Sequence, residues 1–208
     1  MGRKLEKWFW NFSALFTNAS IKRTDYLNRE IDRYTEAYLD KSMNVLETAC
    51  SAGMASRSIA KHSGFVEACD LSEKMIAKAK KRYCPPNLHF SVQDVEALPY
   101  GENCFDAVVY INGLHVVEKP ERALYEIRRV LKPGGILIIP DLVYEGGKVA
   151  RLKADLLRKT FVHTYHRWKT REYMQLISDA GFAIKEQKNL KRRHDVTCCF
   201  IAARNKKF

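Results

Sequence analysis

The chain has no apolar run long enough to cross a membrane, and that absence removes the integral-membrane classes first. A helical span needs about 20 consecutive apolar residues. The longest runs here, 107–111 and 136–140, are the length of strands. The N-terminus does not read as a secretory signal either. Trp8-Phe9-Trp10 is short, Asn11 interrupts it, and no small-residue cleavage site follows. The expected location is therefore cytoplasmic. Cys-x-x-Cys spacing is also missing among Cys50, Cys69, Cys84, Cys104, Cys198 and Cys199. Four of these fall in or beside expected strands, so buried free thiols are expected rather than a disulfide framework, and no metal site. The sequence shows no internal repeat and no low-complexity linker. Its 208 residues suffice for one domain with additions and a real core.

Charge is abundant but unevenly placed. The net charge is +12, yet residues 41–147 carry thirteen Lys or Arg against thirteen Asp or Glu. Residues 148–208 carry sixteen against five. A neutral body joined to a basic C-terminal part implies anionic contacts for that part alone. A solvated basic surface comes first among the readings. An anionic or lipid-borne ligand comes second, because Lys148, Arg151, Lys153, Arg158 and Lys159 lie opposite apolar residues in a helix predicted over 148–161. Nucleic acid comes third, since no recognised RNA-binding motif is present.

Hydrophobic periodicity predicts two N-terminal helices, over 5–16 and 24–39, and then strict β–α alternation. Strands are predicted at 44–48, 65–69, 88–93, 105–111 and 136–141. Helices are predicted from about Gly53 to His62, over 73–83 with Ser72 as cap, and over 120–131 with Pro120 in the first turn. Lys132-Pro133-Gly134-Gly135 is expected to stop the last of these. A helix over 171–180 capped by Thr170, then strands at 182–189 and 196–203 around a basic loop at 191–194, complete the pattern. The expected fold is α/β: a Rossmann-like, doubly wound, mostly parallel seven-stranded sheet with an antiparallel last strand and helices on both faces. Residues 1–40 form a helical lid in this reading. Residues 41–208 form the main domain, with a basic helical cap inserted at about 145–170.

The first strand runs into Glu47-Thr48-Ala49-Cys50-Ser51-Ala52-Gly53, a loop of small residues before a helix, and the second strand ends in Asp70. Small residues let backbone amides approach a ligand, and an acid after the second strand can accept two hydrogen bonds from a ribose diol. A nucleoside is the ligand class this arrangement fits. Asp70 could also serve simply as a helix cap, Asp94 could cap a turn, and Glu47 could be a structural strand-end acid.

Five ordered segments narrow the class. Glu47-x-Ala49-x-Ser51-x-Gly53 resembles the Asp/Glu-x-Gly-x-Gly-x-Gly loop of the class I S-adenosylmethionine (SAM) methyltransferases. Asp70-Leu71-Ser72-Glu73-Lys74-Met75 resembles the segment after that family's second strand. Gln93–Tyr100 with Phe105–Val108, then Gly113–Pro120, then Glu126–Gly135, resemble its ubiquinone/menaquinone-biosynthesis-like (methyltransferase type 11) branch. The resemblance implies SAM as cofactor. It places Glu47, Ala49, Ser51 and Gly53 at the methionine end, Asp70 on the ribose, and Leu71, Met75, Asp94 and Val95 around the adenine. Asn112 and Leu114 would line the methyl-donor side. Two of the three loop glycines are replaced, by Ala49 and Ser51, and a Cβ there disfavours positive φ.

Methyl transfer is an in-line displacement that mainly needs alignment and exclusion of water. A base is required only where the acceptor loses a proton. His115, after the fourth strand, is the candidate base, with a structural histidine as the plainer alternative. His163, Tyr165, His166 and Trp168 are candidates for shaping an acceptor pocket, as are Trp8, Phe12 and Phe16 of the lid. The lid lacks the Tyr-Asp pair usual in the family. The expected reaction is methyl transfer from SAM to a small-molecule acceptor, with a phospholipid or quinone-type lipid at a membrane surface as alternative. The Asn/Asp-Pro-Pro-Tyr/Phe motif of amino-methylating nucleic-acid enzymes is missing after strand four. From other classes, a non-catalytic SAM-binding protein and an NAD(P)-dependent oxidoreductase remain. The latter's Tyr-x-x-x-Lys pattern, at Tyr144–Lys148 and Tyr165–Lys169, lies on no expected helix.

Overall fold

Alternation along the strands decides which face each side chain takes. The computed structural model describes residues 3–13, 25–145, 164–193 and 196–207. Its strands are β1 (Asn44–Thr48), β2 (Phe65–Asp70), β3 (Leu88–Val92), β4 (Phe105–Tyr110), β5 (Leu131–Ile138), β6 (Asp141–Tyr144), β7 (Phe182–Arg193) and β8 (Val196–Asn205). Its helices are α1 (Arg3–Ser13), α2 (Asp25–Glu36), α3 (Ser56–His62), α4 (Glu73–Lys80), α5 (Pro120–Val130) and α6 (Thr170–Asp179). Leu46, Val108, Tyr110, Leu137 and Ile201 share one core with Leu124 and Ile127 of α5 and Tyr173 and Ile177 of α6. Val45, Ala107, Val109, Ile138 and Phe200 share the other with Leu27 and Ile31 of α2, Ile59 of α3 and Ile76 of α4. Successive strand residues thus enter opposite layers, and helices cover both faces.

The strand order is β3-β2-β1-β4-β5-β8-β6, with β7 also pairing β8. β1 to β5 pair in parallel. β8 runs antiparallel to β5, β6 and β7. β5 and β6 lie on one line along β8: Ile136–Ile138 pair with Arg204–Ala202, and Asp141–Tyr144 pair with Cys199–Val196. Pro140 interrupts that line because it has no N–H to give. The expected seven strand positions and antiparallel last strand are what the sheet has. Chain order reverses between β1 and β4, so the crevice outside their C-terminal ends is the natural ligand position.

Several boundaries differ from expectation. The helix after the first loop begins at Ser56 rather than Gly53, because residues 51–55 form turns. The helix begun at Glu73 ends at Lys80, before the proline pair. Lys132–Gly135 lies within β5, where the register with β4 slips between Phe105 and Ala107, and Gly134 takes φ +68°. Thr170 is the first helical residue of α6 and Lys169 its cap position, with Lys169 N–H donating to Glu172 at 2.8 Å. Lys191–Arg193 belongs to β7 rather than to a loop. The basic helix predicted over 148–161, and most of the cap insertion, lie outside the described residues. Among the described residues, no helix is long and apolar enough to cross a membrane, and all six cysteines are free thiols.

Candidate functional site

The loop after β1 keeps glycine geometry without the glycines. Ala49, Ser51 and Gly53 have φ of 54°, 53° and 70°. Left-handed backbone costs roughly 1–2 kcal/mol for a residue with a Cβ, so surrounding bonds must hold the loop in this shape. Cys50 N–H donates to the Cys69 carbonyl at 2.9 Å, and Gly53 N–H to the Cys50 carbonyl at 2.9 Å. Ser51 N–H donates to Asp70 Oδ2 at 2.9 Å. Arg57 donates to the carbonyls of Gly53, of Ala79 at 2.8 Å and of Tyr83 at 2.6 Å, tying the loop to the end of α4. Gly53 is required sterically, since a Cβ would lie 2.7 Å from the Phe90 ring.

Asp70 spans the gap between this loop and α4. Its other oxygen accepts from Ser72 N–H at 2.9 Å, and Ser72 caps α4 by accepting from Met75 N–H at 3.2 Å. Burial raises the Asp70 carboxyl, and the two amides oppose that rise. Ser51 Oγ donates to Met75 Sδ at 3.4 Å, which packs the added hydroxyl against the expected adenine wall. Leu71 is half-buried and Met75 buried. Asp94 Oδ1 accepts from Glu96 N–H at 2.9 Å, so the turn-capping role exists. Val95 packs beside it against the core.

Glu47 is 3% exposed, and its Oε2 has no partner among the described residues. Burial, with Asp32 and Asp70 adding like charge, raises its carboxyl to about 8. Thr48 Oγ1, Ser56 Oγ and Asn112 Oδ1 are likewise buried without a hydrogen-bond partner among the described residues, although the Ser56 hydroxyl lies near enough to Glu47 to oppose the rise of its carboxyl. Native interiors seldom leave such atoms unmet. All four lie at the C-terminal ends of β1 and β4 or at the start of α3, so this end of the sheet fits a ligand rich in polar groups, as SAM is. Asn112 also has φ 51°. A Cβ on the following Gly113 would lie 2.0 Å from the Tyr110 ring, which only glycine avoids.

His115 is 4% exposed. Asp141, fully buried at the start of β6, binds its Nδ1, accepts from its backbone N–H at 3.0 Å, and also accepts from Leu142 N–H at 2.6 Å. The imidazole is thereby locked, and Nε2 has no hydrogen-bond partner among the described residues. Tyr165 and His166 reach the same place from the other side. Their N–H groups donate to the His115 carbonyl at 3.0 and 3.1 Å. His166 stacks on Trp168 at 5.0 Å between ring centroids, and Trp168 tilts against Tyr173 at 5.6 Å. The structure therefore brings His115, Tyr165, His166 and Trp168 together. His163 and Phe16 lie outside the described residues.

The N-terminal helix docks on the start of α4, next to Asp70 and Ser72. Asn11 Oδ1 accepts from Ser72 Oγ at 2.7 Å and Lys74 N–H at 3.2 Å, and Lys7 pairs with Glu73 at 2.6 Å. Trp8 and Phe12 stack at 5.7 Å and remain 62% and 48% exposed, so they do not enter the core. Three features escaped the sequence reading. Asp141 could have been found as the acid closing the apolar run at 136–140. Asp32, on an amphipathic helix, gave no local signal. Arg57 reads as an ordinary surface cation until α4 is folded against it.

Residues 46–139 match the methyltransferase domain family. Over this stretch, just under half of its length, the chain is similar to methyltransferase domains. Among curated relatives, the demethylmenaquinone methyltransferase of Renibacterium salmoninarum is 39% identical over 97 residues, 47% of this chain and 40% of that protein. The ubiquinone biosynthesis O-methyltransferase of Coxiella burnetii is 32% identical over 104 residues, 49% of this chain and 44% of that protein. The chain thus spans less than half the length of these relatives in the matched region. A putative methyltransferase solved in complex with the Haloferax volcanii Trm112 activator superposes with a TM-score of 0.76 at 18% identity, covering 94% of this chain and 98% of that one.

Proposed function

We propose that the protein transfers the methyl group of SAM to a small-molecule acceptor that must lose a proton, with quinol-type rings the first candidates. The observation that carries this reading is His115, locked by buried Asp141 at the C-terminal edge of β4 and β5. The names of the relatives support the acceptor class. Asp70 holds the ribose, Glu47 and the Ala49–Gly53 loop the methionine end, and Leu71, Met75, Asp94 and Val95 the adenine. Asn112 and Leu114 line the donor side. Bound SAM supplies an electrophilic methyl on a sulfonium. Asp141 keeps the proton of His115 on Nδ1, which leaves Nε2 to take the acceptor's proton. Tyr165, His166 and Trp168 give the acceptor flat walls and exclude water.

The test is mass spectrometry of a panel of quinols, phenols and amines incubated with protein and SAM, looking for a gain of one methyl. His115→Ala and Asp141→Asn are expected to lower kcat on the methylated acceptor by about 100-fold or more while SAM affinity holds. Tight SAM binding with no product from any acceptor would favour a non-catalytic binder instead.

A lipid-borne acceptor is the second reading, favoured by the exposed Trp8–Phe12 stack on α1 beside the site. Co-sedimentation with vesicles with and without anionic lipid checks it. Recovery that does not depend on lipid charge would remove its electrostatic part.

A further inference from the structure

We propose that Asp32, on α2, is a second carboxylate for the methionine end of the cofactor, acting with Glu47 on its ammonium group. The inference rests on the SAM reading above and extends that site to the N-terminal segment. Glu47 Oε2 is buried without a partner among the described residues, and a buried carboxylate in that state calls for a cation. Arg57 faces Glu47, but its three nitrogens are committed to the carbonyls of Gly53, Ala79 and Tyr83. Among the described residues, only the Ser56 hydroxyl and Arg57 act to lower the Glu47 carboxyl, and the ammonium of a ligand would supply the missing cation.

The packing of α2 sets where Asp32 lies. Leu27 and Ile31 share a core with Cys50 of the loop and Ile59 of α3. Glu36, one turn beyond Asp32, accepts from the Ser58 hydroxyl of α3 and lies 3.7 Å from His62 Nδ1. Residues four apart share a helix face, so Asp32 is on the side of α2 that meets α3. It is close enough for its charge to act on Glu47. The other groups facing the pair are Glu36 beside Asp32, and Asp70, Arg57 and the Cys50 and Cys69 thiols around Glu47. Among the described groups acting on Glu47, the carboxylates Asp32 and Asp70 outnumber the cation Arg57, which is already bound to carbonyls.

Burial, then the neighbouring carboxylates, raises Glu47 to about 8 and Asp32 to about 6. Near pH 7 the free pair retains about one proton. An ammonium ion entering between the two carboxyls takes that proton's place, so binding of the amino-acid tail releases it.

Calorimetry at pH 7 with SAM and with 5′-methylthioadenosine, which keeps the nucleoside and lacks the amino-acid tail, tests the assignment. Asp32→Asn is expected to weaken SAM about tenfold and leave methylthioadenosine unchanged, which also shows the variant pocket to be folded. Repeating the titration in buffers of different ionisation enthalpy should show proton release with SAM, reduced in Asp32→Asn, and none with methylthioadenosine. Equal weakening of both ligands, or unchanged SAM affinity and proton count, would overturn the role of Asp32. A native protein that binds neither ligand would instead overturn the SAM reading beneath it.

Discussion

Ala49 and Ser51 occupy backbone that favours glycine, and the sequence's departure from the family loop did not change the loop's shape. The cost is local strain. Ala49→Gly with Ser51→Gly is expected to add a net of about 1–2 kcal/mol, the relieved strain of the two residues less the extra unfolded-state entropy of two glycines, or roughly 2–8 °C in Tm for a chain this size. Thermal unfolding of the two single variants and the pair checks it, and an unchanged or lower Tm would show that the strain is not there. Glu47 carries the opposite trade. Its folded value of about 8 exceeds its ordinary 4.5, so the native state holds a proton that the unfolded chain has released. Stability therefore falls as pH rises between those two values, by on the order of 5 kcal/mol in all. Glu47→Gln should raise the Tm of the free protein at pH 8, gain little at pH 5, and weaken SAM at least tenfold. A gain equal at both pH values would contradict this. Asp70→Ala removes the acceptor for Ser51 and Ser72 N–H as well as for the ribose, and SAM affinity should fall about 100-fold or more. Retained affinity would mean that the proposed register is wrong.

At the scale of elements, α5 fastens the turn at 94–100, which is proposed to lie beside the adenine. Glu126 accepts from Leu98 N–H at 2.9 Å and binds Arg129. Arg129 in turn donates to the carbonyls of Tyr100 at 2.7 Å and Leu98 at 2.8 Å. The segment Glu126–Gly135, which in sequence only resembled a family pattern, thus braces the loop that carries Asp94 and Val95. The Arg129 hydrogen bond holds the Glu126 carboxyl below its ordinary value. A lowered folded value means that this contribution is present above about pH 4.5 and is lost as pH falls below it. Glu126→Gln should therefore destabilise the protein at pH 7 and progressively less toward pH 3, measured by urea midpoints. A difference that grows on acidification would reverse the sign argued here.

At the scale of the molecule, the proposed site joins parts distant in sequence: α2, the loops after β1 and β2, the turn at 94–100, and the ends of β4 and β5. A ligand bound across these elements stabilises only the folded chain. SAM at 100 times its Kd should add about 2.7 kcal/mol, a Tm rise of roughly 5–11 °C. A thermal scan with SAM, methylthioadenosine and NADH separates the nucleoside classes, and a shift with NADH alone would reject the cofactor assignment.

Strand and helix order, the antiparallel last strand and the acid at Asp70 were legible in the chain. They depend on short-range periodicity and on spacing within one β–α unit, which the sequence carries directly. The loop's left-handed backbone was not legible, because Ala49 and Ser51 adopt it through bonds from Asp70 and Cys69, about twenty residues away. The Lys132–Gly135 segment reads locally as a stop, yet pairing with β4 draws it into a strand. His115 was visible as a candidate, but its buried partner Asp141 comes from another strand. Asp32 and Arg57 look like solvent-facing charges until α2 packs on α3 and Arg57 reaches the carbonyl at the end of α4. Sequence by itself determined the order of the elements and pointed to a ligand class. Tertiary structure decided which charges are buried together, because burial and charge coupling arise only once distant segments pack.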